Sequence, residues 1–386
     1  MTPQLDSKLP HVGTTIFTVM SALANEHKAV NLGQGFPDFA CAPALIDHVS
    51  DAMREGLNQY PSMLGVEELR VAVSKKIEAL YHKTYDAVSE ITITAGATQA
   101  ILSAILAMVR PGDEVIVLEP CYDSYIPNIE LAGGKVVPVA LTAGSFKVDF
   151  AALQNAITPK TRAILINSPH NPSGTIWSNE DYEQLSKLLA GTSIFLISDE
   201  VYEHMVYAPN HHISAASFPV LAERAFIISS FGKTFHVTGW KVAYCAAPAA
   251  LSAEFRKIHQ FNVFTVNTPV QHALARYMKD PSPYLQLPHF YQKKRDLFRQ
   301  GLESTHFSLL ACEGSYFQCV RLEDLKVSER TLGEAAFCEW LTKEIGVAAI
   351  PLSAFYRDGF DQGIVRFCFA KKDETLRLAI ERLSRL

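Results

Sequence analysis

No apolar stretch in the 386 residues approaches the length of a membrane span, and the first eight residues, MTPQLDSK, carry no hydrophobic signal-peptide core. There is no run of basic residues, and a formal net charge of −5 offers no cationic footprint for a nucleic-acid backbone. The seven cysteines stand at 41, 121, 245, 312, 319, 338 and 368, an odd and scattered set without a C-x-x-C pair. Neither a disulfide framework nor a zinc site is supported, and no H-E-x-x-H is present either. These absences predict a cytoplasmic protein with no metal, no membrane contact and no nucleic-acid partner. Charge is also sparse: charged residues make up 19% of the chain against 48% hydrophobic, which suits a well-buried globular protein and excludes disorder. The length suggests two or three structural units.

What is present is an alternation of strand and helix patterns. Strands are predicted at 91–95, 114–118, 135–141, 162–166, 194–198, 226–228 and 242–245, and helices at 14–27, 44–55, 66–81, 97–106 and 181–189. Strands separated by helices imply an α/β fold with a mostly parallel sheet covered on both faces, whose ligands sit beyond the carboxyl ends of the strands. Asn171, Asp199 and Lys233 all lie just past such ends. After the prolines at 281 and 283 the alternation becomes uneven: a helix at 291–302, strands at 307–310, 316–320, 347–350 and 364–369, a helix at 334–344 and a closing helix. This predicts a smaller α+β domain from 281–386, joined by residues 1–43, beside a large domain at 44–280.

The stretch IISSFGKTFHVTGWKVAY at 227–244 holds two lysines, Lys233 and Lys241. GKT at 232–234 resembles the end of a P-loop, but Ile227 stands where that pattern needs its first glycine. Ser230 and Lys233 fit S-x-x-K without the S-D-N and K-T-G partners of serine acyl enzymes. The third reading makes Lys233 an imine-forming lysine for pyridoxal phosphate, which requires a carboxylate for the pyridine nitrogen. Asp199, behind a buried apolar run, supplies one; a surface turn aspartate is the plainer alternative. Tyr202 and Asn171 can reach the phenolic oxygen, Tyr122 can stack on the ring, and Ser230 and Lys241 can hold the phosphate. Each of these taken singly is as readily packing or a solvated side chain. The small-residue turn at 95–98 opens a helix whose free amides suit a phosphate.

In order, NLGQGFPD (31–38), AGATQA (95–100), PHNPSG (169–174), SDEVY (198–202) and SFGKTF (230–235) resemble the sequence blocks of class I and II pyridoxal-phosphate-dependent aminotransferases of fold type I. The likeness runs over nearly the whole chain, and within the family it is similar to bacterial methionine aminotransferases and to kynurenine and glutamine aminotransferases. The resemblance implies Lys233 as the Schiff-base lysine and proton carrier, Asp199 at the pyridine nitrogen, and Asn171 and Tyr202 at the phenolic oxygen. It further implies Tyr122 on the ring and Ala97, Thr98, Ser230 and Lys241 around the phosphate. Tyr60 would reach the phosphate of a neighbouring subunit in a homodimer with shared sites. Gly35 and Phe36 would lie by the substrate, with Arg366 gripping its α-carboxylate through a bidentate fork. One departure is Lys241, where many relatives carry arginine.

The leading expectation is transamination between an L-amino acid and a 2-oxo acid. Elimination from cysteine conjugates or cystathionine at the same site is an alternative. A non-catalytic ligand sensor is a remote one, since the chain leaves no stretch for an N-terminal helix-turn-helix module. No second arginine appears in QFNVFTVN (260–267), and Phe36, Tyr60, Tyr122 and Phe264 suggest an apolar pocket. Methionine is therefore favoured, with aromatic amino acids, glutamine or kynurenine next, and aspartate disfavoured.

Overall fold

The structure is a computed structural model that describes residues 5–322, 326–327 and 330–386. The expected domain segments at 1–4, 323–325 and 328–329 lie outside the described residues.

Seven strands form the central sheet: β1 Ile91–Thr94, β2 Glu114–Glu119, β3 Lys135–Ala140, β4 Thr161–Asn167, β5 Phe195–Asp199, β6 Ala225–Ser230 and β7 Ala243–Ala246. Their spatial order is β1-β7-β6-β5-β4-β2-β3. All neighbours pair in parallel except β7, which runs antiparallel to both β1 and β6. The strands read as near-continuous apolar runs because both faces are covered. Alternate residues serve the two sides. Val115, Val117, Leu165, Ile197 and Ile228 pack under helices Ala97–Met108 and Ala249–Asn262, while Ile116, Ile164, Ile166, Leu196 and Ile227 join the larger core opposite. The chain order reverses between β2 and β4, so a crevice opens above the carboxyl ends of β2, β4, β5 and β6, where doubly wound sheets bind ligands.

A second sheet is antiparallel, with Ile350–Pro351, Ile364–Cys368, Phe317–Arg321 and Ser308–Leu309 in that order. Val30–Asn31 pairs with Val347–Ala348 in parallel, and the Cys368 amide donates to the Leu32 carbonyl at 2.7 Å. The amino-terminal segment is therefore laced into the carboxy-terminal part of the chain. The predicted strand at 347–350 is two strands in separate sheets, and the predicted helix at 334–344 changes at Leu341–Ile345 to a wider π turn. Helices Tyr125–Leu131, Phe150–Ala156, Ala249–Asn262 and Thr268–Tyr277 were not expected from the pattern. Their short or weakly sided apolar stripes gain definition only against the sheet and each other.

Beneath the β6 end lies a buried polar knot. Lys76 Nζ meets Glu203 Oε1 at 2.5 Å and the Tyr244 hydroxyl at 2.8 Å, Tyr81 donates to Glu203 Oε2 at 2.5 Å, and Ser229 also donates to Glu203. Burial opposes ionisation of Glu203, but the Lys76 ammonium outweighs it and holds the carboxyl well below the usual carboxylate range. That contribution is complete above the unfolded glutamate value of about 4.3 and is lost as pH falls through the folded value. Lys76→Met strands the buried carboxylate and is expected to lower the unfolding free energy by about 3–5 kcal/mol in urea titrations at neutral pH. The gap to the parent should narrow in acid, as Glu203 takes up a proton. Equal stability of the two chains at neutral pH would refute the assignment.

Candidate active site

Adjacent strand ends are tied together by Asn167, the last residue of β4. Its Nδ2 donates to the Asp199 carbonyl at 2.8 Å, and its Oδ1 accepts from the Asn171 amide at 2.8 Å. Asp199 thus sits at the end of β5 with Asn171 beside it. Burial raises the Asp199 carboxyl to about 6, against the Tyr125 hydroxyl, which donates to Oδ2 at 2.6 Å, and the Val201 amide, which donates to Oδ1 at 3.2 Å. The carboxylate is desolvated and held in one orientation, with no ion pair within 4.0 Å among the described residues. A cationic ring nitrogen is the kind of partner such a group takes.

Strand β6 ends at Ser230 and runs straight into the one-turn helix Phe231–Thr234, which presents Lys233. Burial lowers the Lys233 ammonium to about 8. Its Nζ donates to the Gly35 carbonyl at 3.1 Å and to the Tyr316 oxygen at 2.9 Å, and lies 5.5 Å from the Tyr202 ring centre. A lysine lowered this far has a substantial neutral fraction near physiological pH, and that fraction can serve as nucleophile and as base.

The helix Ala97–Met108 starts at Gly96, whose φ is +85°. A Cβ there would sit 3.0 Å from both Cε and Nζ of Lys241, so glycine is what lets the lysine lie against the helix start. Lys241 itself has a left-handed φ of 54°, which turns it back toward that start. First-turn amides have no intrahelical acceptor. With Ala97, Thr98, Ser230 and Lys241 all lining one cavity, they form a cradle for a phosphate.

Arg366 closes the opposite side. Its Nη1 donates to Asn171 Oδ1 at 2.7 Å and its Nη2 to the Gly33 carbonyl at 2.8 Å, with the guanidinium 3.9 Å from the Phe317 ring centre. It is 1% exposed, its Nε has no partner, and it makes no ion pair among the described residues. A buried guanidinium without an anion is an open carboxylate site. Lys371 donates to the Gln34 and Phe36 carbonyls at 3.3 and 2.8 Å, so the loop over the cavity is fastened along its backbone.

The cavity holds about 310 Å³. Of the predicted site residues, Lys233, Asp199, Tyr202, Asn171, Ala97, Thr98, Tyr122, Ser230, Lys241, Gly35, Phe36 and Arg366 all line it. Tyr60 does not. It is 80% exposed and stands edge-on to the exposed Phe264 ring at 5.3 Å, away from this chain's own cavity. Tyr125, Tyr316, Asn167, Phe17 and Lys371 were missed. Tyr125 lies three residues from Tyr122, and Asn167 four from Asn171 at a strand end, so both could have been suspected on that spacing; the others reach the site across long stretches of chain and carry no local signature. Among the described residues no cluster of potential metal ligands occurs and no helix is long and apolar enough to cross a membrane.

Residues 27–383 match the family of class I and II aminotransferases. The chain is 50% identical over 381 residues to the methionine aminotransferase of Escherichia coli (strain K12), covering 98% of each protein. A crystal structure from Escherichia coli described as having a methionine aminotransferase function superposes with a TM-score of 0.96 at 50% identity, covering 100% of both chains. A probable N-succinyldiaminopimelate aminotransferase of Mycobacterium tuberculosis is 38% identical over 390 residues, covering 98% of this chain and 97% of that protein. A lysine, a buried aspartate and an unpaired arginine converge on one crevice of a sheet shared with these proteins, and the chain belongs to the class I and II aminotransferases.

Proposed function

We propose that this transaminase takes the amino group from an apolar L-amino acid, methionine before others, and passes it to a 2-oxo acid at the crevice above β4, β5 and β6. The observation that carries this reading is the shared cavity of Lys233, with its ammonium lowered to about 8, and Arg366, buried without an anion. Members of the family use pyridoxal phosphate, and the residues here fit it: an aspartate for the ring nitrogen, a helix start kept open by Gly96 beside Lys241 for the phosphate, and Tyr122 and Val201 bordering the space between. When bound, the cofactor supplies an electron-poor pyridinium that accepts the electron pair of the broken Cα–H bond.

The chain's own residues do the rest. Asp199 keeps a proton on the ring nitrogen by ion pairing. Asn171 and Tyr202 donate toward the phenolic oxygen, and Ala97, Thr98, Ser230 and Lys241 anchor the phosphate. Arg366 would bind the α-carboxylate and so fix the Cα–H bond relative to Lys233, whose amine would take up that proton as base and give it back as acid. Lysine at 241 keeps the charge of the arginine common in relatives while giving up its planar fork. Phe17, Phe36, Tyr122 and Phe317 line the cavity, where a thioether side chain packs well against aromatic rings. The two relatives are named for different substrates, which supports the reading that side-chain choice rests with these walls. The exposed pair of Tyr60 and Phe264 supports a homodimer in which each chain completes its neighbour's site. Pairing of Val30–Asn31 with Val347–Ala348, and packing of helix Pro43–Arg54 against Thr268–Tyr277, support a large domain at 44–280 and a small one from 1–43 and 281–386.

Lys233→Ala is expected to reduce transamination to background while the chain still binds pyridoxal phosphate; substantial remaining turnover would sink the assignment. With a common 2-oxo acid acceptor, kcat/KM for L-methionine should exceed that for L-aspartate by about tenfold or more, since a desolvated carboxylate finds no second arginine. An enzyme that prefers aspartate rejects the pocket argument, and pyruvate assayed in parallel with cysteine conjugates separates elimination from transfer. In the unloaded chain, 4-(methylthio)butanoate at 100 times its Kd should stabilise the fold by about 2.7 kcal/mol, read from denaturation midpoints. Arg366→Ala should abolish this effect; an undiminished effect would place the carboxylate elsewhere.

A further inference from the structure

Tyr316 has no part in the roles assigned above, yet it touches the reacting amine. Its hydroxyl donates its single proton to the Gly35 carbonyl, leaving the oxygen lone pairs free, and Lys233 Nζ donates to that oxygen at 2.9 Å and to the same Gly35 carbonyl at 3.1 Å. A neutral amine has two N–H bonds and one lone pair. With both N–H bonds engaged by acceptors on one side, tetrahedral geometry turns the lone pair away from Gly35 and Tyr316. We propose that Tyr316 is a positioning residue: together with the Gly35 carbonyl it holds the freed Lys233 amine by both N–H bonds and presents its lone pair to the substrate Cα–H.

The cradle is rigid on independent grounds. Ser315, just before it, has a φ of 58°, donates its amide to the Met205 carbonyl at 2.7 Å and accepts from the Tyr207 hydroxyl at its own carbonyl. A Cβ at Gly314 would lie 2.8 Å from Pro169 and 2.9 Å from the Met205 carbonyl, so this turn is pressed against the loops that carry Asn171 and Tyr202. The Tyr316 ring is boxed by Tyr202, Phe317 and Tyr291, with centroids at 5.1, 4.9 and 5.7 Å. The phenol oxygen therefore cannot follow the lysine; the lysine must come to it. The phenol proton is directed at the Gly35 carbonyl, with the Tyr202 phenol beside it. Burial pushes the Tyr316 phenol well above its ordinary value, which keeps that hydrogen in place. The other ionisable groups that bear on Lys233 are Asp199, Lys241, Arg366 and Cys368.

The inference rests on Lys233 being the proton carrier, and its test separates the two. In the full-length chain freed of cofactor, acylation of Lys233 by acetic anhydride is followed against pH by mass spectrometry. Tyr316→Phe keeps the ring and removes one acceptor that stabilises the ammonium form. Acylation below pH 8 should become about fivefold faster, the equivalent of one hydrogen bond. In the loaded enzyme the same variant should lower kcat by about tenfold or more with KM little changed, and α-deuterated substrate should show a larger primary isotope effect. Tyr291→Phe removes an equally buried phenol oxygen, without a hydrogen-bond partner, from the same cluster, and should change neither reading. Placing 3-fluorotyrosine at 316, which weakens the acceptor without emptying the site, should shift the acylation profile in the same direction. An acylation profile unchanged by both substitutions at 316 overturns the proposal, whether or not Lys233→Ala has silenced the enzyme.

Discussion

The arrangement of the site depends on one side chain, the carboxamide of Asn167. Parallel strands end in open carbonyls and amides, and nothing in sheet pairing itself says how the loops beyond them are spaced. Asn167 answers that on both sides: it donates to the Asp199 carbonyl at the end of the next strand and accepts from the Asn171 amide in its own loop. The Ser168 amide adds a second bond to the same Asp199 carbonyl at 3.1 Å. From there the chain of contacts runs through Asn171 Oδ1 to Arg366, and from Arg366 to Gly33. Residues separated by 195 and 333 positions are thus fixed relative to one strand end. Preorganisation of this kind lets a site orient a substrate without reorganising as it reacts.

Charge balance explains why such a site takes anions. Lys233, Lys241 and Arg366 face the cavity with Asp199 as the one carboxylate among its lining residues. Elsewhere in the chain the buried Lys76 has its counter-ion in Glu203. The contrast separates structure from function on physical grounds: a paired buried charge specifies packing, whereas the buried Arg366 without a counter-ion is costly unless a ligand brings the missing negative charge. On the proposed function a carboxylate at Arg366 would supply it, and a phosphate at the helix start would meet Lys241 at the opposite end of the same cavity.

Much of this was legible in the sequence, for reasons that vary by residue. Strand ends were readable because apolar runs buried on both faces stop abruptly at polar residues, so Asp199 after 194–198 and the Lys233 turn after 226–228 announced themselves. The family resemblance pointed to Arg366 and Lys241, which lie outside the five ordered blocks, and the blocks themselves to Ala97, Thr98 and Ser230. Tyr316, Tyr125 and Lys371 stayed hidden because each acts over a long separation; Lys233 and Tyr316 are 83 residues apart, and Tyr316 and Gly35 are 281. A tyrosine in an apolar strand looks like core from its neighbours, and its hydroxyl finds a role only once the second sheet is folded against the first. Helices Ala249–Asn262 and Thr268–Tyr277 escaped for a related reason, since what defines them is the surface they cover.

The loop at 33–36 is held along its backbone by four side-chain donors. Four consecutive carbonyls there accept from cations or a phenol: Gly33 from Arg366, Gln34 and Phe36 from Lys371, and Gly35 from both Lys233 and Tyr316. On the proposed function two of those donors serve the chemistry, Arg366 at the carboxylate and Lys233 with the proton, while Lys371 and Tyr316 serve the loop. Whatever draws on Arg366 and Lys233 during turnover therefore acts on a backbone that remains fastened at Gln34, Gly35 and Phe36. That division of labour accounts for Lys371, which is buried and makes no ion pair among the described residues: its charge is spent on carbonyl dipoles, and it fastens the Phe36 wall of the cavity.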